Sequence, residues 1–149
     1  MGALMVAKEQ VRDSPVGWVA DHVRRYVETD GADGHEMLPG VFTLLLTTRG
    51  RRSGSLRRTA LIYACEGEAY VVVASQGGAP DHPAWYLNLR DDPQAEVQVG
   101  AERFTTRARV ASAAEKPRMW ATMASIWPEF NDYQARTDRE IPVVVLERI

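Results

Sequence analysis

The chain has 149 residues, 45% of them hydrophobic and 26% charged, with a formal net charge of -2; this suits one domain with a real core and is a globular rather than a disordered composition. The near-neutral balance makes nucleic acid a poor partner, and a lone cysteine, Cys65, excludes a disulfide framework or a multi-cysteine metal site. No apolar run approaches the roughly 20 residues of a membrane-spanning helix, and MGALMVAKEQVRD turns charged too soon for a signal peptide, so the expectation is a soluble, cytoplasmic protein.

The first expected element is a helix in DSPVGWVADHVRRYVETDG, with Ser14 as N-cap and Pro15 at the first helical position. Val19, Val23 and Val27 recur every four residues, flanked by Trp18 and Tyr26, and Gly31 to Gly34 end the helix. Such a stripe suits packing on the protein's own core. With its tryptophan and arginines the helix could instead make a peripheral contact with a membrane surface. Residues 1–39 therefore read as an N-terminal extension and residues 40–149 as the main domain.

From Val41 the texture turns to β. VFTLLLTTR, TALIYAC, AYVVVAS, AEVQVG, RFTTRARVA and IPVVVLERI are six runs rich in β-branched residues, separated by turn chemistry. CEGEA and VGAER read as hairpin connections with glycine in the turn, and Pro142 stands near the start of the last strand, where a missing N–H is tolerated. Cys65, inside LIYAC, is expected to be a buried, inert thiol. The unbroken VVVA and VVVL imply strands covered on both faces. Two further helices interrupt the strands. DHPAWYLNLRDDP has Pro83 near its first turn, and SAAEKPRMWATMASIWP opens with Ser112 and Glu115 in capping-box spacing and turns Met119, Met123 and Ile126 inward. The expected fold is mainly β within the α+β class: a six-stranded, mostly antiparallel barrel with about three peripheral helices.

Three stretches carry chemistry. TTRGRRSGSLRRTAL holds Arg49, Arg51, Arg52, Arg57 and Arg58 around two glycines. Glycine frees backbone N–H groups, and arginine and serine donate to phosphate oxygens, yet the same residues also make a solvated hairpin turn. ASQGGAPDHPAWYLNL ends a strand in Ser75, opens the backbone at two glycines and starts a helix. It suits either a polar ring system with an anionic tail or an ordinary loop. In IWPEFNDYQARTDREIP, Trp127, Phe130 and Tyr133 fall three apart, giving either an aromatic wall for a flat substrate or a hydrophobic cover. His22, His35 and His82 are scattered without carboxylate or cysteine at ligand spacing, so no metal is expected. Neither a nucleophile elbow nor G-x-G-x-x-G follows any strand.

LLLTTRGRRSG, VVASQGGAPDHPAWYLNLRDDPQAEVQVG and DYQARTDREIPVVVLE, in this order, resemble the deazaflavin-dependent nitroreductase family, from about Pro39 to the C-terminus. The resemblance implies a split β-barrel like that of FMN-binding proteins, and coenzyme F420, with FMN as the alternative on the same barrel. It implies an F420H2-dependent reductase passing hydride to a quinone-like, enone or nitroaromatic acceptor, or else a coenzyme carrier without turnover. Matched position by position, Arg52, Ser53, Gly54 and Arg57 fall at the coenzyme phosphate. Ala60, Leu61 and Ile62 fall on the strand along the ring, and Ser75, Gln76, Gly77 and Gly78 on the loop beside it. His82, Pro83, Trp85, Tyr86 and Asn88 complete the pocket. Ile62, Trp127, Phe130 and Tyr133 match the acceptor site, where Ser75 and Tyr133 are the expected hydrogen-bond or proton donors. Nitroreducing members carry tyrosine at the positions of Ile62, Trp127 and Phe130, and relatives carry lysine where this chain has Gln76.

Overall fold

A computed structural model describes residues 11–14 and 17–149; the expected Pro15 start of the first helix lies outside them. The described strands are β1 Val11–Asp13, β2 Glu36–Leu38, β3 Val41–Arg49, β4 Leu56–Ile62, β5 Ala64–Glu66, β6 Ala69–Val73, β7 Gln94–Val99, β8 Glu102–Val110 and β9 Val143–Arg148. They form one sheet in the order β1-β4-β3-β7-β8-β9-β6-β5, with β2 on β3. All pairings are antiparallel except β1 on β4. The sheet rolls until β4 and β6 touch without pairing, which leaves the barrel split. The helices are α1 Gly17–Glu28, α2 Ala84–Asp91, α3 Lys116–Ile126 and α4 Glu129–Ala135, with a 3₁₀ turn at Gln76–Gly78.

Nine strands and four helices correct the expected six and about three. TALIYAC is not one strand: Tyr63 leaves the ladder, its amide bonding Phe42 O at 3.1 Å and its hydroxyl His35 Nε2 at 2.8 Å. Strands β1 and β2 are three residues long, too short for alternation to mark them. The fourth helix is the aromatic segment.

Period-two alternation then builds the core. Val71, Val73, Val143 and Val145 pack outward beneath Met119 and Met123 of α3 and Phe130 of α4. Their neighbours Val72, Val144 and Leu146 meet Leu44, Leu46 and Val97 inside the roll. Both faces are covered, as the unbroken valine runs predict. The capping box forms just before α3, with Ser112 Oγ accepting the Glu115 amide at 3.2 Å and Glu115 Oε1 accepting the Ser112 amide at 3.0 Å. The hairpins turn at Gly67 and Gly100, each with φ +61°.

Helix α1 lays Val23 and Tyr26 on Leu45. The Tyr26 hydroxyl donates to Thr43 O at 3.0 Å and accepts the Gly100 amide at 2.8 Å. The stripe that could have faced a membrane is thus spent on the barrel, leaving Trp18 71% exposed. No described helix is long and apolar enough to cross a membrane. Cys65 corrects a second expectation: it is exposed. The β5–β6 hairpin ends the sheet order, so alternation buries Ala64 and turns Cys65 outward.

Candidate active site

One groove of about 1290 Å³ runs along β4, from the arginine turn to α4. At its basic end the turn closes through the Gly50 amide on Ser55 O at 2.7 Å, with Gly54 at φ +73°. The five arginines divide. Arg49 donates to Gly54 O at 2.9 Å, Arg51 gives its amide and Nη1 to Asn88 Oδ1 at 3.1 Å each, and Arg58 grips Asp13 at 2.7 and 3.3 Å. Arg52 and Arg57 line the groove with Ser53 and have no partner among the described residues. Arg12 of β1 stands in register beside Arg57 and also lines the groove. Like charges side by side repel, and an anion between them would relieve that cost.

Strand β1 covers only Leu56 to Arg58 of the outer edge of β4. The rest of that edge, Thr59 to Ile62, has no strand partner among the described residues and forms the groove's middle. Its backbone donors and acceptors are open to a ligand. Beyond it stand Pro83 and Trp85 at the start of α2, and Asn88, whose Nδ2 donates to Thr48 Oγ1 at 3.1 Å. Asn88 therefore ties α2 to the arginine turn.

Ser75, Gln76 and Gly77 form the opposite lip. Gly78 is the fixed point of this loop: at φ +81°, a Cβ there would lie 2.5 Å from Tyr133 O, so only glycine lets the loop meet α4. The far wall is Trp127, Phe130 and Tyr133, with Ile62. Phe130 is also core, and its ring meets that of Tyr133 edge-on at 6.0 Å. The Tyr133 hydroxyl donates to Glu129 Oε2 at 3.0 Å and accepts from Trp127 Nε1 at 3.3 Å.

Four expected residues do not line the groove: Gly54, Gly78, His82 and Tyr86. The two glycines shape the backbone behind it. Tyr86 packs toward the Leu44–Leu46 core, and His82 Nδ1 sits 3.1 Å from Arg139 Nη1, its pKa lowered by burial and then by the Arg139 and Arg90 charges. Arg12, Trp18, His22, Met37 and Leu38 complete the lip on the α1 side; the sequence reading missed Arg12, Met37 and Leu38 because β1 and β2 carried no pattern, and it placed Trp18 and His22 on a helix without bringing that helix to the groove. Among the described residues no cluster of three His, Cys, Asp or Glu could hold a metal.

A family model described as F420H(2)-dependent quinone reductase matches residues 18–148. An F420H(2)-dependent quinone reductase of Mycobacterium tuberculosis is 39% identical over 130 residues, covering 85% of this chain and 87% of that protein. The solved F420-H2 dependent reductase FDR-A is 37% identical with a TM-score of 0.65, covering 70% of this chain and 93% of that one. A structure described as a domain-swapped dimer is 36% identical with a TM-score of 0.68, covering 90% of this chain and 100% of that one. The chain belongs to the F420H(2)-dependent quinone reductase family.

Proposed function

We propose that the groove binds reduced coenzyme F420 and a quinone-like acceptor together and reduces the acceptor. The observation that carries this reading is a groove with Arg52 and Arg57, unpartnered among the described residues, at one end, an open strand edge in the middle and an aromatic wall at the other. These residues fit the coenzyme: a phosphodiester with an oligoglutamate tail needs cations not already neutralised by the protein, and a planar heterocycle needs an edge of amides and carbonyls. When bound, the reduced deazaflavin supplies a hydride.

Arg52, Ser53 and Arg57 hold the phosphate, with Arg12 beside them. The edge at Ala60, Leu61 and Ile62 orients the ring, Trp85 and Pro83 exclude water, and residues 11–14 and 17–39 close the side that residues 40–149 leave open. Holding two reactants face to face replaces any need for a nucleophile. Two donors were expected at the acceptor. The Tyr133 proton is committed to Glu129, whereas the Ser75 hydroxyl has no partner among the described residues and is the better placed donor. Ile62, Trp127 and Phe130 offer no hydroxyl, so the acceptor end suits flat, apolar quinones and enones over bulky nitroimidazoles.

Titration of the purified protein with oxidised F420, read by fluorescence, tests the reading. Saturable binding is the expected result. A protein that carries FMN and shows no affinity for F420 would replace it with a flavin oxidoreductase on the same barrel.

A further inference from the structure

Arg139 is a half-buried cation whose bonds go to main-chain carbonyls, with the Asp81 charge nearby but not bonded to it. Its guanidinium donates to Ala79 O at 2.8 Å, Ala74 O at 3.1 Å and Ser75 O at 2.6 Å, and faces His82 Nδ1. No described carboxylate bonds it, and burial lowers its pKa. An arginine placed so fixes backbone direction: it draws the carbonyls of Ala74, Ser75 and Ala79 to one point behind the loop.

Every described peptide bond is trans, and in a trans peptide the N–H points opposite to the C=O. With the Ala74 and Ser75 carbonyls turned back onto Arg139, the amides of Ser75 and Gln76 point away from it, on the groove side. Neither amide meets an acceptor among the described residues. Ser75 is right-handed at φ -81°, ψ -40°, and Gln76 is left-handed at φ +46°, a conformation that disfavours a side chain. That alternation turns successive amides toward one concavity. Gly77 leaves it open, because a Cβ built there meets nothing within 4 Å. The Ser75 hydroxyl adds a third donor, and Ile62, Trp127 and Tyr133 line the same groove.

We propose that the Ser75 and Gln76 amides form an oxyanion cradle for the acceptor's carbonyl oxygen, aimed by Arg139 as a positioning residue. The proposal rests on the quinone-reductase reading. A quinone that gains a hydride, one proton with two electrons from the reduced coenzyme, becomes a hydroquinone monoanion with its charge on oxygen. One proton from solvent then completes the hydroquinone. Donors already aimed at that oxygen favour the charged product over the neutral quinone, and a guanidinium on the carbonyl side of the same peptides polarises both amides further.

The test uses the protein saturated with oxidised F420 and a fluorinated phenol as a mimic of the monoanion, read by fluorine NMR. In the wild type the bound phenol ionises at a lower pH than the free phenol. Arg139→Gln abolishes that shift, Arg139→Lys recovers part of it, and kcat for a quinone falls about a hundredfold in Arg139→Gln with KM little changed. A bound phenol that stays neutral in the wild type overturns the cradle without any variant. If Arg139→Gln weakens coenzyme binding and leaves the phenol ionised, the amides serve the coenzyme and the assignment to the acceptor is overturned. If the wild type ionises the phenol and yet oxidises no reduced F420 with quinones, the enzymatic reading fails and the cradle stands.

Discussion

Replacing Arg52 and Arg57 together by alanine should cost coenzyme affinity and leave the fold intact. Neither guanidinium bonds another described group, so their removal strands no buried charge, and stability should move by no more than about 0.5 kcal/mol. A charge-assisted hydrogen bond lost from a complex costs about 1.5–3 kcal/mol. Both side chains are exposed, so the lower figure applies, and two such losses weaken binding by about two orders of magnitude. Arg58→Ala is the control: its partner is Asp13 at 2.7 Å, so it should lose about 1 kcal/mol or less of stability and keep its affinity. Fluorescence titration of oxidised F420 across all three proteins, at low and high salt, reads the outcome. Wild-type affinity in the double variant, or an equal loss in Arg58→Ala, would refute the division of the arginines.

Gly77→Ala should cost only the left-handed strain of about 1–2 kcal/mol, since nothing lies within 4 Å of its Cβ. Gly78→Ala adds a 2.5 Å clash with Tyr133 O and should be the more destabilising by about 1–3 kcal/mol in urea unfolding; equal losses would contradict the contact. Burial and then the Arg25 charge lower the His22 pKa from 6.5, so the unfolded chain takes up the proton first. Stability should hold above pH 6.5, fall as pH drops from there through the depressed native value, and level off below it. His22→Gln should blunt that acid loss, and an unchanged pH slope would count against it. Cys65 should react fully with a thiol reagent in the native protein; protection until unfolding would restore the buried assignment.

Where a strand was long and apolar, the sequence was enough to locate it: β3 runs from Val41 to Arg49, the bounds its residues imply. Strands β1 and β2 escaped because three residues show no period, and with them went Arg12 and the Leu38 lip. Cys65 misled because LIYAC is apolar in composition but straddles a break at Tyr63 and ends at the sheet's edge. The basic turn was legible in its glycines and arginines, though the sequence alone left open whether it holds an anion. The role of Arg139 was not legible at all. Its partners are main-chain carbonyls 60 to 65 residues away, and no side-chain pattern announces such a contact.

The central claim is reduction of a quinone by reduced F420 in the groove beside β4. Its most direct test mixes the protein anaerobically with reduced F420 and a soluble quinone and follows the return of the oxidised coenzyme's absorbance. The account predicts catalytic oxidation over many turnovers, dependent on both protein and quinone. Tight binding of F420 with no oxidation by any of a panel of quinones, enones and nitroaromatics would contradict it and make the protein a coenzyme carrier.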